Sequence, residues 1–175
     1  MTRGVRGHHP DRERSRGQAM VEFALAVPIL FVLFFGVIEM GRFVFYYETL
    51  NHAAREGARY AIVHGARADC PSGPPPPGTV NQCDPNGDNI KVAVVEAAQN
   101  LATSGELFVH EPVWTSRGSL RNPQPGDAST GNSARGEYVT VFVTYEYLPI
   151  IAEILDTSIL PIINITAEST LVINT

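Results

Sequence analysis

A glycine and a carboxylate stand just ahead of a long apolar run near the N-terminus. Gly17 is followed by Gln18-Ala-Met-Val-Glu22, and Glu22 leads into Phe23 and an uncharged stretch that ends at Ile38. A carboxylate costs roughly 2.5–3.5 kcal/mol at the centre of a membrane-spanning helix and less near the interface, so such residues are candidates for function. Glycine can lie extended in a protease cleft, so Gly17 is a candidate cleavage position.

Cleavage after Gly17 would create a new amino group on Gln18. That ammonium and the Glu22 carboxylate would both lie near lipid, where opposite charges are stabilised by pairing within one chain or between neighbours. A pair between Glu22 of one subunit and Gln18 of the next would set the axial stagger of helices packed into a filament. The spacing therefore suggests an assembly role for Glu22 as a hypothesis.

The apolar run is long enough to cross a membrane if Glu22 lies at one interface. A helix over Gln18–Ile38 is about 31 Å long, close to the ~30 Å hydrocarbon core of a bilayer. Residues 1–17 carry five arginines and two acids, and an excess of Lys and Arg marks the cytoplasmic side. We therefore expect a single span with the N-terminus inside the cytoplasm and the remainder outside it.

A buried core helix and a secretory signal peptide both fit the run less well. A buried core helix would show a polar face, whereas this run is apolar all round. A secretory signal peptide would end in a small-residue cleavage pattern, whereas this run continues into Glu39-Met-Gly-Arg-Phe43. The run is therefore either an uncleaved anchor or an anchor whose leader is removed on the cytoplasmic side.

Composition limits what the rest of the chain can be. The formal net charge is −5, made up of +3 in residues 1–17 and −8 in the remainder, which argues against nucleic-acid binding. About 135 residues follow the span, enough for one small domain. The two cysteines, Cys70 and Cys83, fall in this outer part, where an oxidising compartment allows them to form a disulfide.

The helical pattern continues past the membrane segment. Apolar and small residues recur there at spacings of three and four, namely Leu50, Ala53, Ala54, Gly57, Ala58, Ala61 and Ile62. We predict one helix over 18–63 that is kinked at Pro28. Breakers at 71–78 and 84–89 follow it; the second weakly resembles a calcium loop, but turn chemistry with an N-cap at Asp88 or Asn89 explains it better.

The later segments predict one more helix and about three strands. The helix is expected over Asn89–Leu101, and a strand over Glu106–Thr115 in which Pro112 marks an edge or a break. Further elements are a polar loop at 117–135, strands at Tyr138–Tyr147 and Ile162–Ile173, and a short helix or amphipathic connection at Leu148–Leu160.

The expected fold is therefore α+β. A long N-terminal transmembrane helix continues into a stalk and packs on a small antiparallel sheet of about three strands, with one or two short helices. The expected segments are a basic cytoplasmic leader (1–17), the helix (18–63), and an extracytoplasmic head (64–175) with a Pro/Gly-rich loop at 70–88 and a flexible loop at 117–135.

The sequence offers no constellation typical of an enzyme. The five histidines are scattered, and no H-x-x-x-H, G-x-S-x-G or Gly-rich phosphate loop occurs. We therefore expect no catalytic activity, no cofactor and no metal site.

Several motifs resemble those of one family. Gly17-x-x-x-x-Glu22-Phe23 ahead of an apolar span resembles the processing site of type IV prepilins, in particular the tight-adherence (Flp) branch. The segments similar to TadE-like proteins are Arg16–Phe31, Glu39–Arg42, Asn51–Ala61 and Ile165–Thr170. Residues 16–63 carry the strong similarity, and they include Arg55-Glu56-Gly57-Ala58-Arg59, which we interpret as a helix-packing motif.

The resemblance implies a pilin-like pseudopilin or minor pilin of a bacterial adherence-pilus or secretion system. Such proteins are made at the inner membrane and trimmed by a membrane prepilin peptidase, here after Gly17. The expected partners are the lipid bilayer, that peptidase, other pilins and the inner-membrane assembly platform. The head is larger than that of a major Flp pilin, which favours a minor or tip-associated subunit. The alternative is an uncleaved, single-pass anchored binding module that does not polymerise; a mature chain that begins at Gln18 would distinguish the two.

Overall fold

The computed structural model describes residues 11–102, 107–119, 122–150, 152 and 162–174. The chain forms two compact units, Met1–Gly41 and Arg42–Thr175. Helix α1 (Asp11–Val63) supplies most of the first unit and also runs into the second.

In the first unit, α1 exposes its large apolar side chains. Those of Phe23, Leu30, Phe34 and Val37 are among the exposed ones. Among the described residues, α1 is the one helix whose length and composition would allow it to cross a membrane. Its most apolar 18-residue window has a mean hydropathy of 2.6, and none of that window is buried.

Helix α1 begins earlier than the sequence predicts. We expected Gln18 as its first residue, with Gly17 in front of it, whereas the helix begins at Asp11 and includes both Gly17 and Pro28. The segment from Asp11 to Arg16 contains no helix breaker and places acids in the first turn, where they stabilise the helix dipole. Gly17 is therefore helical rather than extended.

The second unit is α+β, as the sequence predicts. After the end of α1 come helices α2 (Asp88–Ala97) and α3 (Gln99–Ala102) and strands β1 (Leu107–Val109), β2 (Val113–Thr115), β3 (Tyr138–Tyr147) and β4 (Ile163–Val172). All strand pairs are antiparallel. Strand β4 pairs with β3 along its whole length, and β1 and β2 follow each other along the opposite side of β3.

The predicted strand over Glu106–Thr115 is two strands in the structure. Strands β1 and β2 are separated by His110, Glu111 and Pro112. Proline has no N–H to donate to the ladder, so the pairing with β3 stops there and resumes at Val113. The described sheet therefore has four strands instead of about three.

The start and end of the second helix also differ from expectation. Its N-cap is Gly87, with φ of 76°, and not Asp88 or Asn89. The carboxylate of Asp84 accepts hydrogen bonds from the N–H groups of Asp88 (2.7 Å) and Asn89 (3.1 Å), so the helix is capped by a residue one turn upstream. The predicted helix over Asn89–Leu101 is interrupted at Ala98 and continues as α3.

The core lies between helices α1 and α2 and one face of the sheet. The α1 stripe predicted from the sequence is buried from Leu50 to Ala61 and packs with Ile90 and Val94 of α2. From the sheet, the core receives Val139, Val141, Val143, Tyr145, Tyr147, Ile165 and Ala167. Most of the predicted connection at Leu148–Leu160 lies outside the described residues.

Candidate functional site

The candidate processing segment lies on an exposed part of α1. Gly17, Gln18, Glu22 and Phe23 are all exposed. Gln18 and Glu22 are four residues apart in a helix and therefore share one face, about 6 Å apart along the axis. That face forms a shallow groove lined by Gly17, Gln18, Val21, Glu22 and Leu25. The Glu22 carboxylate thus lies one turn from the atom that cleavage would turn into an amine.

Gly17 is not required by the packing of this chain. A Cβ built on Gly17 meets no atom within 4 Å, and its φ is not in the left-handed region. Glycine in a helix is less stable than alanine by about 1 kcal/mol. Its use here weakens the helix at the bond after Gly17, which must become extended before any protease can cut it.

The motif Arg55–Arg59 divides into a buried and an exposed part. Gly57 and Ala58 are buried, and a Cβ on Gly57 would clash with the Val94 side chain and lie 3.3 Å from Val141 Cγ1. Arg55, Glu56 and Arg59 are exposed. The guanidinium of Arg55 donates to the Asn51 carbonyl at 3.1 Å, and Arg59 lies 3.9 Å from Glu56. The small residues therefore pack inside the head, and the charged ones face outward.

The structure contains the Cys70–Cys83 disulfide that the sequence predicts, with 5.5 Å between the two Cα atoms. A buried side chain that the sequence analysis missed organises this loop. The amide of Asn81 donates to the carbonyls of Pro71 (3.0 Å) and Gly73 (2.8 Å), and its oxygen accepts from the N–H groups of Cys83 and Asp84. An asparagine between two cysteines in a turn-rich segment is the signal that could have indicated it.

Trp114 joins this loop to the sheet and was also missed. A Cβ on Gly73 or on Gly87 would clash with the indole of Trp114. Both glycines have positive φ, 105° and 76°, so their positions are restricted by conformation as well as by space. The sequence gives no local signal that would connect this tryptophan to two glycines at least 27 residues away.

The described residues contain no group of three or more His, Cys, Asp or Glu that could hold a metal ion. The arrangement is that of an exposed apolar helix joined to a disulfide-bonded α+β unit. What it can do chemically is offer a peptide bond, a carboxylate and an apolar surface to partners.

Comparison with known proteins identifies one family. The family model described as TadE-like protein matches residues 17–59. No curated protein and no solved structure matches the chain. The match begins at Gly17 and extends through Arg59, so it includes both the candidate processing segment and the helix-packing motif. TadE-like proteins are a structural, pilin-type family, and the match indicates a pilus-associated, membrane-anchored protein. The resemblance seen in the sequence is thereby confirmed over this segment, and residues 17–59 are those of a TadE-like protein.

Proposed function

We propose that the chain is a pseudopilin or minor pilin of a tight-adherence pilus or secretion system, processed after Gly17. One observation carries the proposal. The TadE-like match begins at Gly17 and covers a helix whose apolar side chains are exposed over the length of a membrane. The arginine-rich leader places the N-terminus in the cytoplasm, and the head then lies outside the cytoplasmic membrane.

The size of the head supports a minor or tip-associated role. The unit that begins at Arg42 contains four strands, two short helices and a disulfide. The partners of such a subunit are the prepilin peptidase, other pilins and the inner-membrane assembly platform. The disulfide fits an oxidising compartment outside the cytoplasm.

Cleavage is tested by the intact mass of the chain extracted from the membranes of its own host. Wild type is expected to begin at Gln18. Gly17→Leu is expected to begin at Met1, because a bulky side chain both strengthens the helix and hinders the backbone in the protease cleft. Gly36→Leu is the control, because Gly36 is also a helical glycine and a Cβ at its position meets no atom within 4 Å. A wild-type chain that begins at Met1 would support the uncleaved anchored module instead.

The role of Glu22 is tested by association with pilus partners. Glu22→Gln is expected to be cleaved and inserted normally but to lose co-purification with other pilins. The Gln18 ammonium would then be unpaired near lipid, and leaving one charge unpaired is more destabilising than the pair is stabilising. Glu48→Gln is the control, because Glu48 is an exposed carboxylate of the same helix in the C-terminal unit. Association equal to wild type at equal membrane levels would leave Glu22 as a boundary residue only.

A further inference from the structure

An arginine and four aromatic rings meet at the beginning of the C-terminal unit. The guanidinium carbon of Arg42 lies 5.6 Å from the ring centroids of both Tyr46 and Tyr147, and Arg42 Nη2 donates to the Tyr46 hydroxyl at 3.3 Å. The Tyr46 ring contacts Tyr145 and Tyr147 at centroid distances of 5.1 and 5.3 Å, and Phe43 packs edge-on against Tyr147 at 5.8 Å. We call these five residues the Arg42 cluster.

The Arg42 cluster adjoins the apolar segment in the sequence. Arg42 is the first charged residue after Glu39 and the only Lys or Arg between Gln18 and Ala54. If the apolar segment spans the membrane, the chain leaves the hydrocarbon close to Arg42. Tyrosine and arginine are the side chains that proteins concentrate at this depth, because each combines an apolar body with a polar end.

Exposed apolar side chains surround the cluster. On α1 these are Val44, Phe45 and Tyr47, which are about half exposed. On the sheet, Ile163 pairs with Tyr147, and it and Ile162 are 42% and 57% exposed. A cluster that served only to fix α1 to β3 would account for the burial of Tyr145 and Tyr147. It would not account for a cation stacked on the rings or for a border of exposed apolar residues.

We propose that the Arg42 cluster binds the phosphate of a phospholipid headgroup, with the bordering apolar side chains in the acyl-chain boundary. The tyrosine rings hold the planar guanidinium in place, so that it can present paired N–H donors to phosphate oxygens. The remainder of the chain after residue 17 carries a net charge of −8, and Arg42 supplies the cation that an acidic head needs at an anionic membrane surface. This inference rests on membrane anchoring but is independent of cleavage after Gly17.

The test uses the full chain in a non-ionic detergent, with and without added phosphatidylglycerol. The measurements are the rise in unfolding temperature caused by the lipid and the fraction of chains that retain a lipid adduct in native mass spectrometry. Wild type is expected to show both effects. Arg42→Gln is expected to retain at least about three-fold less lipid and to lose most of the temperature rise. Because each variant is compared with itself without lipid, a lower basal stability of Arg42→Gln does not affect the result.

Three further samples sharpen the test. Arg59→Gln is the control and should behave as wild type, because Arg59 is 72% exposed and has no aromatic contact among the described residues. Arg42→Lys should be intermediate, since it keeps the charge but not the planar fork. Monoolein, which has no phosphate, should produce no rise that depends on Arg42.

Two outcomes would overturn the proposal. One is a wild-type chain that shows no response to phosphatidylglycerol. The other is a response that Arg42→Gln and Arg59→Gln retain equally, since the lipid would then act on the apolar helix alone. A normal lipid response together with an uncleaved N-terminus would contradict the processing proposal and leave this one intact.

Discussion

The two parts of helix α1 use side chains of opposite size. From Phe23 to Met40 the apolar residues are mostly Phe, Leu, Ile and Val, and they are exposed. From Leu50 to Ala61 the apolar residues are mostly alanine and glycine, and they are buried against α2 and β3. Both parts have the sequence pattern of an apolar helix, yet their packing differs completely.

The difference shows what each surface contacts. Small residues allow α2 and β3 to approach the helix closely, because a Cβ on Gly57 would already clash with Val94. Large exposed side chains gain nothing from water and are typical of a surface that faces lipid or other apolar helices. The size of the apolar residues, rather than their hydropathy, therefore separates the part of α1 that packs inside the head from the part that does not.

The largest expected contrast comes from one substitution made in both parts of the helix. Leu50 is fully buried and Leu30 is 65% exposed. We expect Leu50→Ala to lower the free energy of unfolding of the C-terminal unit by about 2–5 kcal/mol, because it removes buried contacts and leaves a cavity. Leu30→Ala should leave that free energy unchanged. The measurement is urea unfolding in detergent followed by Trp114 fluorescence; equal effects of both variants would contradict the comparison.

Removing the disulfide should weaken the second unit alone. We expect the double variant Cys70→Ser/Cys83→Ser to lose about 3 kcal/mol, the chain-entropy value for a loop of this length. The urea midpoint of Trp114 fluorescence should fall, while the helical signal that survives in detergent after the head unfolds should stay the same. Alkylation of native, unreduced wild type should label neither cysteine, and labelling of both would show that the bond is absent.

A matched pair of glycines tests the close approach directly. Gly57→Ala is expected to cost roughly 1–2 kcal/mol, because the overpacking outweighs the higher helix propensity of alanine. Gly36→Ala should cost nothing, because a Cβ there meets no atom within 4 Å. The pair is compared by thermal unfolding at equal detergent concentration. A stabilised Gly57→Ala would mean that α1 and α2 can move apart without penalty.

The smallest expected effect concerns the cap of α2, which contributes the Val94 that faces Gly57. Asp84→Asn removes one of the two carboxylate oxygens that accept from Asp88 and Asn89, and we expect a loss of about 1 kcal/mol. Asp88→Asn is the control, because Asp88 is exposed and its ion pair with Lys91 is a surface pair worth little. If Asp88→Asn proves the more damaging of the two, then the cap is not provided by Asp84.

Patterns within one segment predicted much of this protein. The alternation of β3 gave its bounds, Tyr138 to Tyr147, and the three-and-four spacing gave the buried stripe of α1. The two cysteines were paired because they are close in sequence within an outer, turn-rich segment. The family resemblance at residues 16–63 was confirmed over 17–59. Each of these features depends on neighbouring residues, which is why the sequence alone determines it.

Other features depend on residues that only the fold brings together. The capping of α2 by Asp84, the packing of Trp114 on Gly73 and Gly87, and the stacking of Arg42 between Tyr46 and Tyr147 join distant or unexpected partners. No periodicity encodes them, because each contact requires two chain segments to have reached their final positions. The sequence thus determined a TadE-like apolar helix with an α+β head, whereas the tertiary structure decided which of its polar and aromatic side chains meet.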